Sequence, residues 1–300
     1  MKWHIWDFPD TVYLKFNDEF RMKLFDKLYK HFGTHRKLSY FGCSYPAIVT
    51  ALRYGSYKGM EIYTNMKLIK KILILFPEIK EEIERNVIAY RCRAGNPVIN
   101  PVLPIEETPE IYSIVVHMIG DGSAGKGKTP YYSNTCKELR DDFKKNLRIF
   151  GEVNYNEYLM HTNVYCVTFP KAISDILSHI FNVKLVYSDS LPIKLFTASE
   201  SCKIAGIAAL FDDEGTASTM VSIRSSSQKL LQQAKEILKD LDIETGIVSG
   251  NDITYYSLSI LAKSQEDFLN KIKPIHPKKI NALQEKVKYR NRHKTLQIST

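Results

Sequence analysis

The chain has 300 residues, 44% hydrophobic and 25% charged, a soluble globular composition with room for two or three domains. Its longest apolar run, "ILILF" at 72–76, is too short to span a bilayer, and its opening "MKWHIWDFPD" has no apolar secretion core; a cytoplasmic or nucleoid-associated protein is expected, not secreted and without a membrane partner. Five scattered cysteines (43, 92, 136, 166, 202) with no C-x-x-C pair argue against a zinc module or disulfide framework.

Net charge is +9, but residues 271–294 carry nine Lys/Arg and one acid, Glu285, so the remainder sums to about +1. That excess reads either as a polyanion-binding feature or as a solvated helix end and tail.

In chain order, residues 1–94 read as a small all-α module. "DEFRMKLFDKLYKHFG" places Phe20, Leu24, Phe25, Leu28 and Phe32 on one helical stripe that stops at Gly33. A second helix is expected near Lys37. Ser44 caps a third whose first turn tolerates Pro46; it runs Tyr45–Tyr54 and ends at Gly55. Another follows from about Thr64, with Met66, Ile69, Ile72 and Leu73 inward. This rhythm resembles the helix-turn-helix modules of phage-repressor type. In that picture Tyr45–Tyr54 is the recognition helix, and Ser44, Tyr45, Ala47, Thr50 and Arg53 face the major groove. Pro97, Pro101, Pro104 and Pro109 then fall within thirteen residues, and 95–107 is expected to be a linker.

The remainder repeats itself. "IVVHMIGDG" (114–122) and "IAALFDDEG" (207–215) are each an apolar run ending in an acid and a glycine, so Asp121 and Glu214 align at an offset of 93. Downstream the offset is 91: Leu139, Phe143, Leu147 and Phe150 fall on Leu230, Ala234, Leu238 and Leu241, the apolar stripes of two amphipathic helices. "NVYCVTF" (163–169) falls on "TYYSLSI" (254–260), and Leu177 and Phe181 fall on Phe268 and Ile272. The predicted fold is α+β: two pseudo-twofold-related αββαββα repeats, 108–197 and 198–283, with antiparallel sheets wet on one face, and a basic tail over 284–300.

The two motifs resemble the paired LAGLIDADG helices of homing endonucleases, the second more closely than the first. The resemblance covers residues 108–290. It implies a four-stranded sheet from each repeat, together a saddle in the DNA major groove, with the motif helices packed at its centre. It also implies that the acid ending each helix binds Mg2+ or Mn2+ for phosphodiester hydrolysis. Asp121 and Glu214 become the catalytic and metal-binding pair, with the backbone carbonyls of Gly120 and Asp213 as further ligands. Hard divalent ions take carboxylate oxygens, activate water and stabilise a leaving oxygen. The family's lysine near the metals has two candidates here, Lys263 and Lys171. With both motifs in one chain, a monomer acting on double-stranded DNA is expected.

Other residues carry two readings. Asp212 and Asp213 form an acidic cluster or are exposed loop carboxylates. His117 reads as a packed histidine rather than a ligand. Tyr131, Tyr132, Arg224, Ser226, Tyr255 and Tyr256 are candidate DNA contacts if the sheet lies on the duplex. Lys126 and Lys128 are phosphate-backbone contacts or solvated loop lysines.

Three functions compete: a sequence-specific, magnesium-dependent DNA endonuclease; a catalytically inactive LAGLIDADG-derived DNA-binding regulator or RNA maturase; and a P-loop NTPase. The third rests on Gly122–Thr129, a full G-x-x-x-x-G-K-T match. A P-loop follows a strand and opens a helix. Here Thr108, Pro109 and Glu110 start a helix before the match, and "PYYSNT" after it is strand-like. No nucleotide site is assigned.

Overall fold

The computed structural model describes residues 1–33, 41, 44–93, 95–125, 127–186, 188–250 and 255–298. The chain divides into two compact units, 1–107 with 148–155 and 169–180, and 108–147 with 156–168 and 181–300.

The first unit begins β1 (Lys2–Trp3), β2 (Val12–Phe16), α1 (Asp18–Phe32), α2 (Tyr45–Ile48), β3 (Ser56–Tyr57), β4 (Met60–Glu61), β5 (Thr64–Asn65), α3 (Met66–Leu75), α4 (Lys80–Arg85), β6 (Val87–Cys92), β7 (Val98–Ile99) and β8 (Ile105–Glu106). The expected α1 forms with its buried stripe, Asn17 accepting from the Phe20 N–H at 2.8 Å and Gly33 closing it at φ 66°. The predicted Tyr45–Tyr54 helix also forms, its last six residues as a π-helical turn that ends at Gly55. The helix expected near Lys37 lies outside the described residues.

An all-helical N-terminal module is nevertheless wrong. β2 and β6 pair antiparallel inside a five-stranded sheet, flanked by β5 and β7. In β2, Val12, Leu14 and Phe16 alternate inward, a period-two pattern in "VYLKF" overshadowed by the longer helical stripe beside it. Nor is 95–107 a mere linker. β7 joins that sheet and β8 pairs with β1, each two-residue strand placed between the prolines rather than on them.

The chain continues α5 (Pro109–Gly120), β9 (Gly122–Ser123), β10 (Tyr131–Asn134), α6 (Lys137–Asn146), β11 (Glu152–Val153, the edge strand beside β7), β12 (Asn156–Leu159), β13 (Tyr165–Thr168), α7 (Lys171–Phe181), α8 (Ile193–Thr197), α9 (Glu200–Glu214), β14 (Gly215–Thr216), β15 (Ser222–Ser225), α10 (Gln228–Asp240), β16 (Ser249–Gly250), β17 (Tyr256–Ser259), α11 (Gln265–Ile272) and α12 (Pro277–Ile298). The two four-stranded antiparallel sheets share one topology, β9-β10-β13-β12 and β14-β15-β17-β16. β10 and β13 start 91 residues before β15 and β17, as the repeat requires. Leu139 and Phe143 of α6 are fully buried, as are Ala234 and Leu238 of α10. The Walker-like segment joins β9 to β10 and leads into a strand, not a helix.

Candidate functional site

α5 and α9 pack against each other along their lengths. Each is followed by a strand whose first residue is a glycine that no other residue replaces without movement. A Cβ on Gly122 would lie 2.4 Å from the Met118 Cα; one on Gly215 would lie 2.3 Å from the Phe211 carbonyl oxygen. Asp121 therefore caps α5, Glu214 closes α9, and each chain turns at once into its first strand.

The two acids line one cavity of about 380 Å³ with Gly120, Ser123, Tyr131, Ser133, Ser188, Ser225 and Ser226. Asn134 donates to Asp121 Oδ2 at 2.9 Å, and the Asp121 carbonyl accepts from the Ser133 N–H and hydroxyl at 3.1 and 2.9 Å. Burial, then the charges of Asp213 and Glu214, push the Asp121 carboxyl up to about 7. Glu214 is also raised, by burial and then by Asp213.

Asp213 is no loop carboxylate. Its side chain is fully buried against Gly120, where a Cβ would lie 2.8 Å from Asp213 Oδ2. His117 Nδ1 donates to Oδ2 at 2.9 Å, and Tyr132 donates to Oδ1 at 2.7 Å, with Asn134 at 3.4 Å. A residue of α9 thus ties together α5 and the first sheet. Burial alone would lower the His117 pKa, but the Asp213 carboxylate outweighs it and the net shift is upward. His117 is packed, as the sequence suggested.

Asp212 is equally buried. It accepts from the N–H groups of Ile275 and His276 at 2.9–3.0 Å. Burial, resisted by those N–H groups, pushes it up to about 6. Beside it, Lys279 Nζ donates to the carbonyls of Phe211, Asp212 and Asp213 at 3.1, 2.6 and 3.1 Å. Burial pulls the Lys279 pKa down, against Asp212, Asp213, Asp121 and Glu214. Lys263 instead pairs with Glu244, and Lys171 with Asp175. Sequence reasoning missed Lys279; only the alignment of its turn against the end of α9 marks it out.

The sheet candidates separate. Tyr131 and Ser226 line the cavity. Arg224 stacks over the exposed Tyr255, 5.1 Å from its ring centroid. Tyr256 is a correction: it is buried, because the strand alternation that exposes Tyr255 turns Tyr256 inward, and Tyr132 is buried likewise. Lys128 is exposed on the β9–β10 connection, and Lys126 lies outside the described residues.

In the first unit, Ser44 accepts from the Ala47 N–H at 3.4 Å. Thr50 donates to the Pro46 carbonyl at 2.7 Å. Tyr45 is half-buried, and Arg53 is exposed over the Phe25 and Tyr54 rings.

Among the described residues, no group of three or more His, Cys, Asp or Glu side chains is placed to hold a metal ion. No described helix is long and apolar enough to cross a membrane.

Residues 201–273, the span from α9 through α11, match the family described as the LAGLIDADG-like domain. That span holds the second motif, 207–215, whose resemblance to the LAGLIDADG family the match bears out. No curated protein matches the chain. Among solved structures it is similar to the homing endonuclease I-DmoI in complex with DNA and Ca, at 15% identity over 60% of this chain and 100% of that one, TM-score 0.44. It is similar to I-DmoI in complex with DNA and Mn at 14% identity over 55% and 97%, TM-score 0.42. Full-length DUF199/WhiA from Thermatoga maritima gives 16% identity over 66% and 68%, TM-score 0.42. At such identities and scores, the functional reading rests on the chain's own geometry and on the family match.

Proposed function

We propose that the chain binds double-stranded DNA and hydrolyses a phosphodiester bond with a divalent cation, Mg2+ or Mn2+, held by Asp121 and Glu214. One observation carries the reading: two acids from repeated positions, at the ends of two packed helices, line the same cavity. Their carboxylates are hard oxygen donors, and both are raised toward protonation by burial and neighbouring negative charge, a tension that a cation relieves. The Gly120 carbonyl belongs to a residue lining that cavity and remains a candidate ligand. The Asp213 carbonyl does not fit, because it accepts from Lys279.

A bound ion would acidify a water and stabilise the leaving oxygen. The chain's own residues do the rest. Asn134 holds Asp121 in orientation. Ser123, Ser133, Ser225 and Ser226 line the cavity with hydroxyls suited to phosphate oxygens. The Arg224–Tyr255 pair offers a cation and a ring for the duplex. Ser44, Tyr45, Thr50 and Arg53 supply a second DNA-contacting face in the helix-turn-helix reading, and Lys126 and Lys128 a backbone contact. Both acids come from one chain, so a monomer suffices.

A second reading is a DNA-binding regulator without cleavage. The Lys279 contacts at the end of α9 and the buried Asp213 network favour it. Selection of bound and cleaved duplexes from a random library, with Mg2+ or Mn2+, separates the two. Recovered cut sites support the endonuclease, whereas bound but intact sites in both metals support the regulator.

A further inference from the structure

The C-terminal end of α9 is closed by the chain itself. Helix C-termini carry partial negative charge on carbonyls that have no partner within the helix. Here the Asp212 and Asp213 carbonyls, with that of Phe211, which also accepts from the Gly215 N–H, converge on the Lys279 ammonium at 2.6–3.1 Å. The segment that delivers it is fixed just upstream, where the Ile275 and His276 N–H groups grip the Asp212 carboxylate. Downstream, Lys286 donates to the Thr219 carbonyl at 2.9 Å. The ammonium is therefore held in place by the fold, not by a flexible tail.

The first repeat differs at every corresponding position. At the motif offset of 93, Ile119 stands where the second repeat has Asp212, and Gly120 where it has Asp213. At the downstream offset of 91, the counterpart of Lys279 is Ser188, which lines the Asp121–Glu214 cavity. Asp121, the counterpart of Glu214, caps α5, and its carbonyl accepts from the Ser133 N–H and hydroxyl. One motif helix ends on neutral donors and the other on a cation.

We propose that Lys279 is a built-in cation that occupies the place of a divalent ion at the C-terminal end of α9. The motif pair then takes one exogenous divalent ion, on the Asp121–Glu214 side, rather than a twofold-related pair. The proposal deepens the metal-binding reading and rests on it for the Asp121–Glu214 ion. The Lys279 half stands on the hydrogen bonds at the end of α9.

The test uses the metal-stripped full chain as wild type, Lys279→Met and Lys279→Arg, with Mn2+ as the probe. Thermal unfolding is followed in EDTA and in Mn2+, and bound Mn2+ is counted by electron paramagnetic resonance. Lys279→Met is expected to melt lower in EDTA. Saturating Mn2+ should then raise its midpoint by about 5 °C more than it raises wild type, with one more Mn2+ bound than wild type holds. Lys279→Arg keeps a cation at the site and should respond to Mn2+ as wild type does. Equal Mn2+ response and stoichiometry in wild type and Lys279→Met overturns the proposal. So does a wild type that binds two Mn2+, a result that holds even if Lys279→Met fails to fold. A wild type that binds none, beside a Lys279→Met that gains one, sinks the Asp121–Glu214 ion and upholds the role of Lys279.

Discussion

Replacing Asp121 with Asn should stabilise the fold at pH 8 when no divalent ion is present. Burial and the charges of Asp213 and Glu214 raise the Asp121 carboxyl from 3.8 to about 7. The sign follows from linkage. A folded-state pKa above the unfolded one contributes stability that is fully present below the unfolded value and lost as pH rises through the folded one. Above about pH 7 the wild type therefore carries the whole cost of a buried charge. A shift of about three units corresponds to roughly 4 kcal/mol. Partial exposure of the carboxyl to solvent brings that to about 2 kcal/mol, or about 4–5 °C in midpoint. Asparagine keeps an oxygen for the Asn134 donor, so the hydrogen bond at 2.9 Å survives. The assay is thermal unfolding of both proteins in EDTA from pH 4 to 8.5. The difference should be near zero at pH 4, grow to about pH 7 and then level off. Mn2+ should narrow it at pH 8, because only the wild type regains a counter-charge there. A variant less stable than wild type at pH 8 in EDTA, or a pH-independent gap, refutes the reasoning.

Asp121→Asn and Glu214→Gln should each abolish cleavage in a plasmid-nicking assay, with DNA affinity by filter binding within about threefold of wild type, since neither removes a positive charge that meets phosphate. Asp213→Ala should cost on the order of 3 kcal/mol in urea unfolding, because His117 and Tyr132 lose their buried partner; a loss below about 1 kcal/mol would show that the network is not needed. Gly122→Ala and Gly215→Ala should each cost about 1–3 kcal/mol, since each new Cβ meets the turn four residues back. Arg224→Ala should weaken DNA binding and lower the slope of its salt dependence by about one.

The duplication was legible because it is written in spacing. β10, α6 and β13 start 91 residues before β15, α10 and β17, and that offset alone places α6 against α10 and β13 against β17 in the sequence. The acids were legible for the same reason. The N-terminal sheet was not, because most of its strands are only two residues long and leave no period to count. Burial of Asp212 and Asp213 was hidden too. Two adjacent acids look like solvated surface unless their partners are known, and those partners, Ile275, His276, His117 and Tyr132, lie 63–64, 96 and 81 residues away. Lys279 sits in a run of basic residues where spacing distinguishes none of them.

On α5, Val115, Val116 and His117 are bulky, whereas close helix crossings favour small side chains. The partner helix brings Ala205, Ala208 and Ala209 to a pocket shared with Ser113 and His117, while its Gly206 lies against Leu195, and the two helices meet closely at Gly120 and Asp213. There Gly120 has no Cβ, and the space is filled from the other side by the Asp213 carboxylate. That carboxylate carries charge into the interface, and His117 is the residue on α5 that meets it. The bulky histidine and the acid that departs from the motif are thus two halves of one contact between the helices. The asymmetry continues along α9: an acid at 213 commits that side chain to the interface, while the Lys279 ammonium takes the backbone carbonyls at the end of the same helix. Of the three consecutive acids of the second motif, Glu214 is the one that lines the cavity shared with Asp121. The duplicated chain therefore keeps the symmetry of its sheets while concentrating its open carboxylates at a single place.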